Sequence, residues 1–287
     1  MNTTPIALDR LRDAKERSAW MWLAICSIPM WIALVVWTIT LVGAPLIFIG
    51  FFCLGGYVAR LFAQAYIKTN GIEVSATQLP EVNQLVEEGC AKLGLARPTV
   101  YVLQHNVWNA FANKVAGQRS VVLFSGAVDS LLLKGDLRQL AFVIGHELGH
   151  HAAGHLDFKT YWVALGAWVP WLFLWYSRRR EFTCDRIGLY CAGDLTTTMR
   201  AMTNMAVGSQ LAGQVNLAAA IQQWEAHRGE FFVNYRTLYS THPQLLSRLA
   251  ALPAAAQELG IPVQAALPEP SALPPVVEDP VRYMPRV

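Results

Sequence analysis

The longest apolar stretch of the chain runs over residues 18–59 and contains no Asp, Glu, Lys or Arg. A helix of about 20 apolar residues crosses the roughly 30 Å of hydrocarbon in a bilayer, so this stretch is long enough for two crossings. Residues 43–45, Gly-Ala-Pro, form a turn signal near its middle. We therefore predict helices over 19–42 and 46–61, which form a transmembrane hairpin within residues 18–67.

The rest of the chain alternates helical and strand-like patterns. Helices are predicted over 80–95, 126–133, 136–155, from 178 past 192, and over 201–224 and 241–252. Strands are predicted over 99–103, 109–112 and 120–124, the last two joined by a turn at Gly117. The proline-rich end predicts an extended or disordered tail over 253–287. The expected fold class is mainly α with a small β-sheet.

Composition excludes several classes of protein. Of the 287 residues, 54% are apolar and 15% are charged, and the formal net charge is +3. Soluble domains carry about 25% charged residues, so the chain is short of surface charge. Disorder of the bulk of the chain and a highly charged nucleic-acid binder are both excluded. Five cysteines without a CxxC pair argue against a secreted disulfide framework and favour a reducing compartment.

Basic residues flank the predicted hairpin but are absent from its loop. They are Arg10, Arg12, Lys15 and Arg17 before it, and Arg60 and Lys68 after it. Because positive flanks stay in the cytoplasm, we expect residues 1–17 and everything after residue 60 on the cytoplasmic face of the inner membrane. The predicted protein is multi-pass, and the lipid bilayer is one expected partner.

Residues 146–150 read His-Glu-Leu-Gly-His within the predicted helix 136–155. At about 100° per residue the two imidazoles project about 40° apart, one turn apart along the axis. They therefore converge on one point, as a tetrahedral zinc site requires. Glu147 lies on the adjacent face, within reach of a metal-bound water. The pattern predicts a catalytic Zn²⁺ site with His146 and His150 as ligands.

A catalytic zinc site needs a third protein ligand and keeps one position open. Glu181 and Asp185 stand four residues apart on the next predicted helix. Glu181 could complete a His₂Glu site, and Asp185 could accept a hydrogen bond from a ligand imidazole and fix its tautomer. Taken alone, such a pair is typical of a solvated helix face. With the two histidines about 30 residues upstream, we expect Glu181 to bind the metal.

Four motifs together carry a resemblance to a known family. They are NAFA at 109–112, HELGHHAAGH at 146–155, SRRREFTCD at 177–185 and THP at 241–243. Over about residues 71–252 the chain resembles the M48 family of membrane zinc metalloendopeptidases, near its HtpX-like members. Cys184 departs from the family pattern, because many members carry Ala there.

The resemblance implies both a fold and a set of roles. The fold is a gluzincin-type metallopeptidase, mainly helical and here membrane-anchored. The implied roles are metal binding by His146, His150 and Glu181, and base catalysis by Glu147. A substrate strand is implied along the edge that contains Asn109, Ala110 and Phe111.

The remaining candidate side chains are open to more than one interpretation. His151 and His155 project about 140° and 180° from His146, which favours a packed or hydrogen-bonded role over a second metal site. His242 could donate a hydrogen bond to the oxyanion formed in peptide hydrolysis, or it could cap or anchor the last helix. Arg248 could pair with an acidic group near the site.

A second apolar run, residues 160–177, contains four tryptophans and no charge. If His150 and Glu181 bind one ion, both ends of this run lie on the same side of the membrane, which excludes one complete crossing. Eighteen residues are too few for two crossings of about 20 residues each. The run is therefore expected to be a re-entrant or interfacial hairpin, or a hairpin packed on the first two helices.

These features predict a membrane-bound zinc endopeptidase that hydrolyses internal peptide bonds of unfolded or damaged membrane proteins. Recognition through main-chain pairing with an added substrate strand would tolerate many sequences. A specific processing protease of the CAAX type is one alternative, although the chain has few spans for it. The other is a non-catalytic membrane scaffold or holdase with a structural metal, for which Glu147 would have no use.

Overall fold

Helices dominate the computed structural model, which describes residues 6–105, 109–132 and 136–263. The α-helices are α1 (Leu8–Leu11), α2 (Ala14–Thr40), α3 (Ala44–Asn70), α4 (Pro80–Leu93), α5 (Ser125–Leu132), α6 (Leu137–Ala152), α7 (Phe158–Trp162), α8 (Pro170–Ala192), α9 (Leu195–Val207), α10 (Leu217–His227), α11 (Phe231–Leu238) and α12 (Leu245–Leu259). The strands are β1 (Ile72–Glu73), β2 (Thr99–Leu103), β3 (Ala110–Val115) and β4 (Gln118–Phe124). The predicted class, mainly α with a small sheet, is confirmed.

Two of the described helices, α2 and α3, are long and apolar enough to cross a membrane by length and composition. Their apolar side chains are largely exposed on the isolated chain, as Ile39 and Phe52 illustrate at 74% each. The turn between the helices is formed by Gly43 with φ +84°, in agreement with the predicted turn. Both helices are longer than predicted: α2 begins at Ala14, within the charged segment before the hairpin, and α3 continues past Lys68 to Asn70.

The four strands form one mixed sheet in the order β1-β2-β4-β3. Strands β2 and β4 are parallel, and β3 pairs with β4 in an antiparallel hairpin that turns at Gly117, where φ is +80°. Strand β3 therefore lies at the edge of the sheet, with one side bonded to β4 and the other side facing helix α6.

Helices α6 and α8 pack unusually closely, because glycines line their contact. A Cβ atom added at Gly145 would lie 2.6 Å from the Cβ of Cys191, and one at Gly188 would lie 2.8 Å from the carbonyl oxygen of Phe142. Small residues let two helix backbones approach each other. This contact sets α8 beside the His-Glu-Leu-Gly-His turn of α6.

The apolar run predicted at 160–177 folds back along the first membrane-type helix. It forms α7, a 3₁₀ segment over Val163–Trp168 and the start of α8. A Cβ at Gly166 would lie 2.4 Å from the carbonyl oxygen of Leu23, and the indole of Trp168 donates to the carbonyl of Cys26 at 2.8 Å. The run thus packs as a hairpin against α2.

Two of the later predicted helices also have different boundaries in the structure. The helix expected over 201–224 is interrupted: α9 ends before Gly208, where φ is +82°, and α10 begins after its cap Asn216. The closing helix expected over 241–252 instead extends to Leu259 through Pro253. It continues because alanines that follow the proline are buried against the core. The part of the predicted tail from residue 264 onward lies outside the described residues.

Candidate metal centre

The predicted site residues surround one cleft of about 300 Å³ between strand β3 and helices α6 and α8. The helices contribute His146, Glu147, His150 and Glu181, and the segment before and in β3 contributes Asn109, Ala110, Phe111 and Ala112. His242 and Arg248 also line the cleft. Asp185 lies behind the cleft, buried to 2% exposure. Residues that are far apart in sequence are thus brought to one place.

Both imidazoles of the motif turn their Nε2 atoms toward one carboxylate. The Nε2 of His146 lies 3.6 Å from Oε2 of Glu181, and the Nε2 of His150 lies 3.7 Å from Oε1. These distances are too long for hydrogen bonds. Two donors on a tetrahedral zinc ion lie about 3.4 Å apart, given zinc–nitrogen and zinc–oxygen bonds of about 2.0–2.2 Å. The three side chains therefore fit a shared zinc ion.

The Nδ1 atoms of the same two imidazoles are held from behind. Nδ1 of His146 donates to Oδ1 of Asp185 at 3.0 Å, and Nδ1 of His150 lies 3.1 Å from Nδ1 of His155. Such bonds fix the tautomer, so that the Nε2 lone pair of each ring is presented to the cleft.

The two glutamates of the cleft differ in pKa. Burial alone would raise the pKa of Glu181, but the neighbouring His146 and Arg248 hold the pKa of this carboxylate well below its usual range. Burial raises the pKa of Glu147 to about 7. The centre therefore combines an ionised glutamate with a second glutamate that is suited to exchange protons near neutral pH.

Cys184 lies next to the two histidines, and sequence reasoning gave it no role at the metal. One donor atom each of His146, His150 and Cys184 lie within 4.8 Å of one another. The thiol is fully buried, however, and burial raises its pKa well above the usual value. Glu181 and Cys184 are therefore the two candidates for the third ligand.

The other two histidines of the motif region make hydrogen bonds. Nε2 of His151 donates to the carbonyl of Ser120 in β4 at 3.0 Å and ties α6 to the sheet. Helix α6 ends at Ala152, and Gly154, at φ +72°, turns the chain so that His155 returns to His150. The expected 180° projection of His155 is wrong because the helix ends three residues before it.

His242 lies at the rim of the cleft. Its ring is 66% exposed, with Nε2 3.9 Å from Oε1 of Glu181 and Nδ1 3.0 Å from the hydroxyl of Thr241. The N-cap position of α12 is taken by Gln244, so His242 does not cap that helix.

The open edge of β3 exposes specific peptide groups. The amide of Phe124 donates to the carbonyl of Asn109, so the Asn109 peptide faces β4. Because successive residues of a strand face alternate sides in the ladder, the amides and carbonyls of Ala110 and Ala112 point to the open edge. The Ala112 amide binds the carboxylate of Glu147, which lowers the pKa of that group against the larger effect of burial.

Comparison with known proteins shows the family to which the chain belongs. The model of peptidase family M48 matches residues 76–165 and 158–256, more than half of the chain. Protease HtpX of Xylella fastidiosa strain 9a5c is 24% identical over 208 residues, 58% of this chain and 69% of that protein. The HtpX homolog of Bifidobacterium longum is 25% identical over 236 residues, 67% of this chain and 76% of that protein. No solved structure gives a significant match. The chain belongs to peptidase family M48, among its HtpX-like membrane metalloproteases.

Proposed function

We propose that the protein is a zinc-dependent endopeptidase that hydrolyses internal peptide bonds. The observation that carries this proposal is the convergence of the Nε2 atoms of His146 and His150 on the carboxylate of Glu181, at 3.6 and 3.7 Å. These three side chains would hold the ion. When bound, zinc polarises the scissile carbonyl and lowers the pKa of its water from about 15.7 toward 7.

Glu147 is the proton carrier in this proposal. Its carboxylate is anchored by the Ala112 amide, and burial raises its pKa to about 7. A group with that pKa can take the proton of the attacking water and return it to the leaving amine with little energetic cost. His242, exposed at the rim, would donate a hydrogen bond from its ring to the oxyanion.

Substrates would bind as an added strand along the open edge of β3. The outward carbonyls of Ala110 and Ala112 would accept from the amides of the substrate strand. The amide of Ala110 is bonded to the Asn109 side chain at 2.9 Å, and the amide of Ala112 is bonded to Glu147. Phe111, on the same segment, is exposed at 36% and would contact substrate side chains. Main-chain recognition admits many sequences and requires an extended segment. Unfolded or damaged membrane proteins are the substrates that fit.

Helices α2 and α3 would cross the inner membrane and leave the cleft on its cytoplasmic side. The basic flanks at Arg17 and Lys68, with no charge in the intervening turn, support this orientation. The hairpin of residues 158–175 would re-enter the cytoplasmic leaflet, because it packs along α2 as far as Trp31, whose ring stacks on that of Trp162 at 4.3 Å.

The decisive experiment compares the wild type with Glu147→Gln on unfolded casein in detergent. The variant should retain about one zinc per chain by elemental analysis and lose cleavage, because an amide cannot accept the proton. Glu88→Gln, on the exposed face of α4, is the matched control and should cleave normally. A zinc-loaded Glu147→Gln variant that cleaves at the wild-type rate would contradict the proposal, and a zinc-loaded wild type without activity would favour the scaffold alternative.

A further inference from the structure

Two buried side chains, Glu16 and His155, connect the first membrane-type helix to the candidate metal ligand His150. Nδ1 of His150 lies 3.1 Å from Nδ1 of His155, and Nε2 of His155 lies 3.2 Å from Oε1 of Glu16. His155 is exposed at 2% and Glu16 at 3%, so water does not compete for these bonds. Glu16 belongs to the first turn of α2, 139 residues before its partner.

The order of donors and acceptors in this chain follows from its two ends. A carboxylate oxygen only accepts, so Nε2 of His155 carries the hydrogen that faces Glu16. The Nδ1 atom of the neutral ring is then an acceptor, and the contact between the two Nδ1 atoms requires the hydrogen on His150. His150 is left with its lone pair on Nε2, the atom that faces Glu181 at 3.7 Å.

The carboxylate of Glu16 is itself fixed by neighbours on other elements. Nη1 of Arg12 donates to its Oε1 at 2.6 Å, and the hydroxyl of Thr183 on α8 donates to its Oε2. Arg12 also donates from Nη2 to the carbonyl of Ala153, just after α6, at 2.7 Å. The group is thus held in place where α2, α6 and α8 meet.

The same arrangement occurs in a shorter form at the other imidazole. His146 donates directly to Asp185, a carboxylate on the facing helix. At His150 the nearest carboxylate is on α2, and the ring of His155 bridges the distance. Each of the two imidazoles is therefore backed by a buried carboxylate, one from α8 and one from α2.

We propose that Glu16 and His155 are positioning residues for His150, so that the start of the membrane-type helix is a working part of the metal centre. The proposal rests on the metal site proposed above. A group that orients a metal-bound imidazole changes metal affinity by about 10–100-fold when it is removed. A residue with only a structural role would change stability and leave the affinity of the folded protein unaltered.

The test is a titration of the metal-free full-length protein in detergent with Co²⁺, followed by competition with Zn²⁺. The variants are Glu16→Gln, Glu16→Ala and His155→Gln, with Glu88→Gln as the exposed control. We expect Glu16→Ala and His155→Gln to weaken Co²⁺ binding by about 10–100-fold and to change the visible absorption of the bound ion. Glu16→Gln keeps an acceptor oxygen for His155 and should therefore lose less affinity than Glu16→Ala.

The outcomes separate this proposal from the proposed function. Wild-type affinity and absorption in folded Glu16→Ala and His155→Gln would overturn the positioning role and leave the peptidase intact. Weakened binding in these variants, with a metal-loaded wild type that cleaves nothing, would support the positioning role while the peptidase proposal fails. A wild type that binds neither ion would overturn both. If Glu16→Ala does not fold, His155→Gln decides the question: weakened binding supports the positioning role, and wild-type affinity and absorption overturn it.

Discussion

The guanidinium of Arg248 donates two hydrogen bonds to Asp185, one of 2.8 Å from Nε to Oδ2 and one of 2.6 Å from Nη2 to Oδ1. The same Oδ1 accepts the Nδ1 hydrogen of His146 at 3.0 Å. Arg248 is carried by α12 and Asp185 by α8, and both are buried. The last helix of the described chain therefore controls the direction in which a candidate metal ligand points.

Replacing Arg248 should lower the free energy of unfolding. Arg248→Ala leaves the buried carboxylate of Asp185 without its counter-charge, and breaking a buried pair in this way costs about 3–5 kcal/mol. Arg248→Lys should recover only part of the lost stability, because an ammonium group cannot reproduce the bidentate hydrogen bonds. Urea unfolding in detergent measures both. Arg228→Ala, in an exposed pair with Glu225, is the control and should cost about 0–1 kcal/mol; equal losses at the two arginines would contradict the argument.

The third ligand can be decided by metal content. Glu181→Ala should lose the metal, because two imidazoles alone hold zinc poorly, whereas Cys184→Ala should retain about one ion per chain. Elemental analysis after dialysis against a weak chelator gives the answer. Retention by the glutamate variant together with loss by the cysteine variant would make the thiol the ligand. In either case chelation should stop cleavage and added Zn²⁺ should restore it.

The close contact of α6 and α8 should not tolerate a methyl group. Gly188→Ala places a Cβ 2.7 Å from the ring of Phe142 and 2.8 Å from its carbonyl, so the helices must separate, at about 1–3 kcal/mol. The midpoint temperature of thermal unfolding and the affinity for zinc should both decrease, because the proposed ligands lie on these two helices. Gly229→Ala, where an added Cβ meets nothing within 4 Å, should leave both values near the wild type. Unchanged zinc affinity in Gly188→Ala would show that the centre does not depend on the helix separation.

Membrane topology can be read by thiol labelling in a background without Cys26 and Cys53. Val42→Cys, at a turn position exposed at 93%, should react with an impermeant reagent from the outer face. Trp171→Cys, in the hairpin of residues 158–175, should never react from that face, because His150 and Glu181 flank the hairpin and share one site. Labelling of Trp171→Cys from the outer face would contradict both the proposed zinc centre and the proposed topology.

Local periodicity carried much of the sequence prediction. The apolar stretch 18–59 predicts two long helices. The four-residue spacing of Glu181 and Asp185 matches one turn of α8, which faces α6. These features depend on neighbours along one element, which the sequence displays directly.

Contacts between residues far apart in the chain could not be predicted from the sequence. A helical wheel drawn through His155 fails because α6 ends at Ala152 and Gly154 reverses the chain. The contact of Glu16 with His155 has no local signal, since it depends on how α2 docks on the end of α6. The interruption of the helix predicted over 201–224 could have been suspected from Gly208 and Asn216, a helix stop and a cap.

Helix α2 touches the rest of the molecule over a long distance. Glu16 is bound at its start, and Trp31 stacks on Trp162 about 22 Å further along, at 1.5 Å of rise per residue. With α2 inserted in a bilayer as proposed, this long contact would hold the cleft at a constant height above the lipid. A polypeptide would then have to come within that distance of the membrane to be cut.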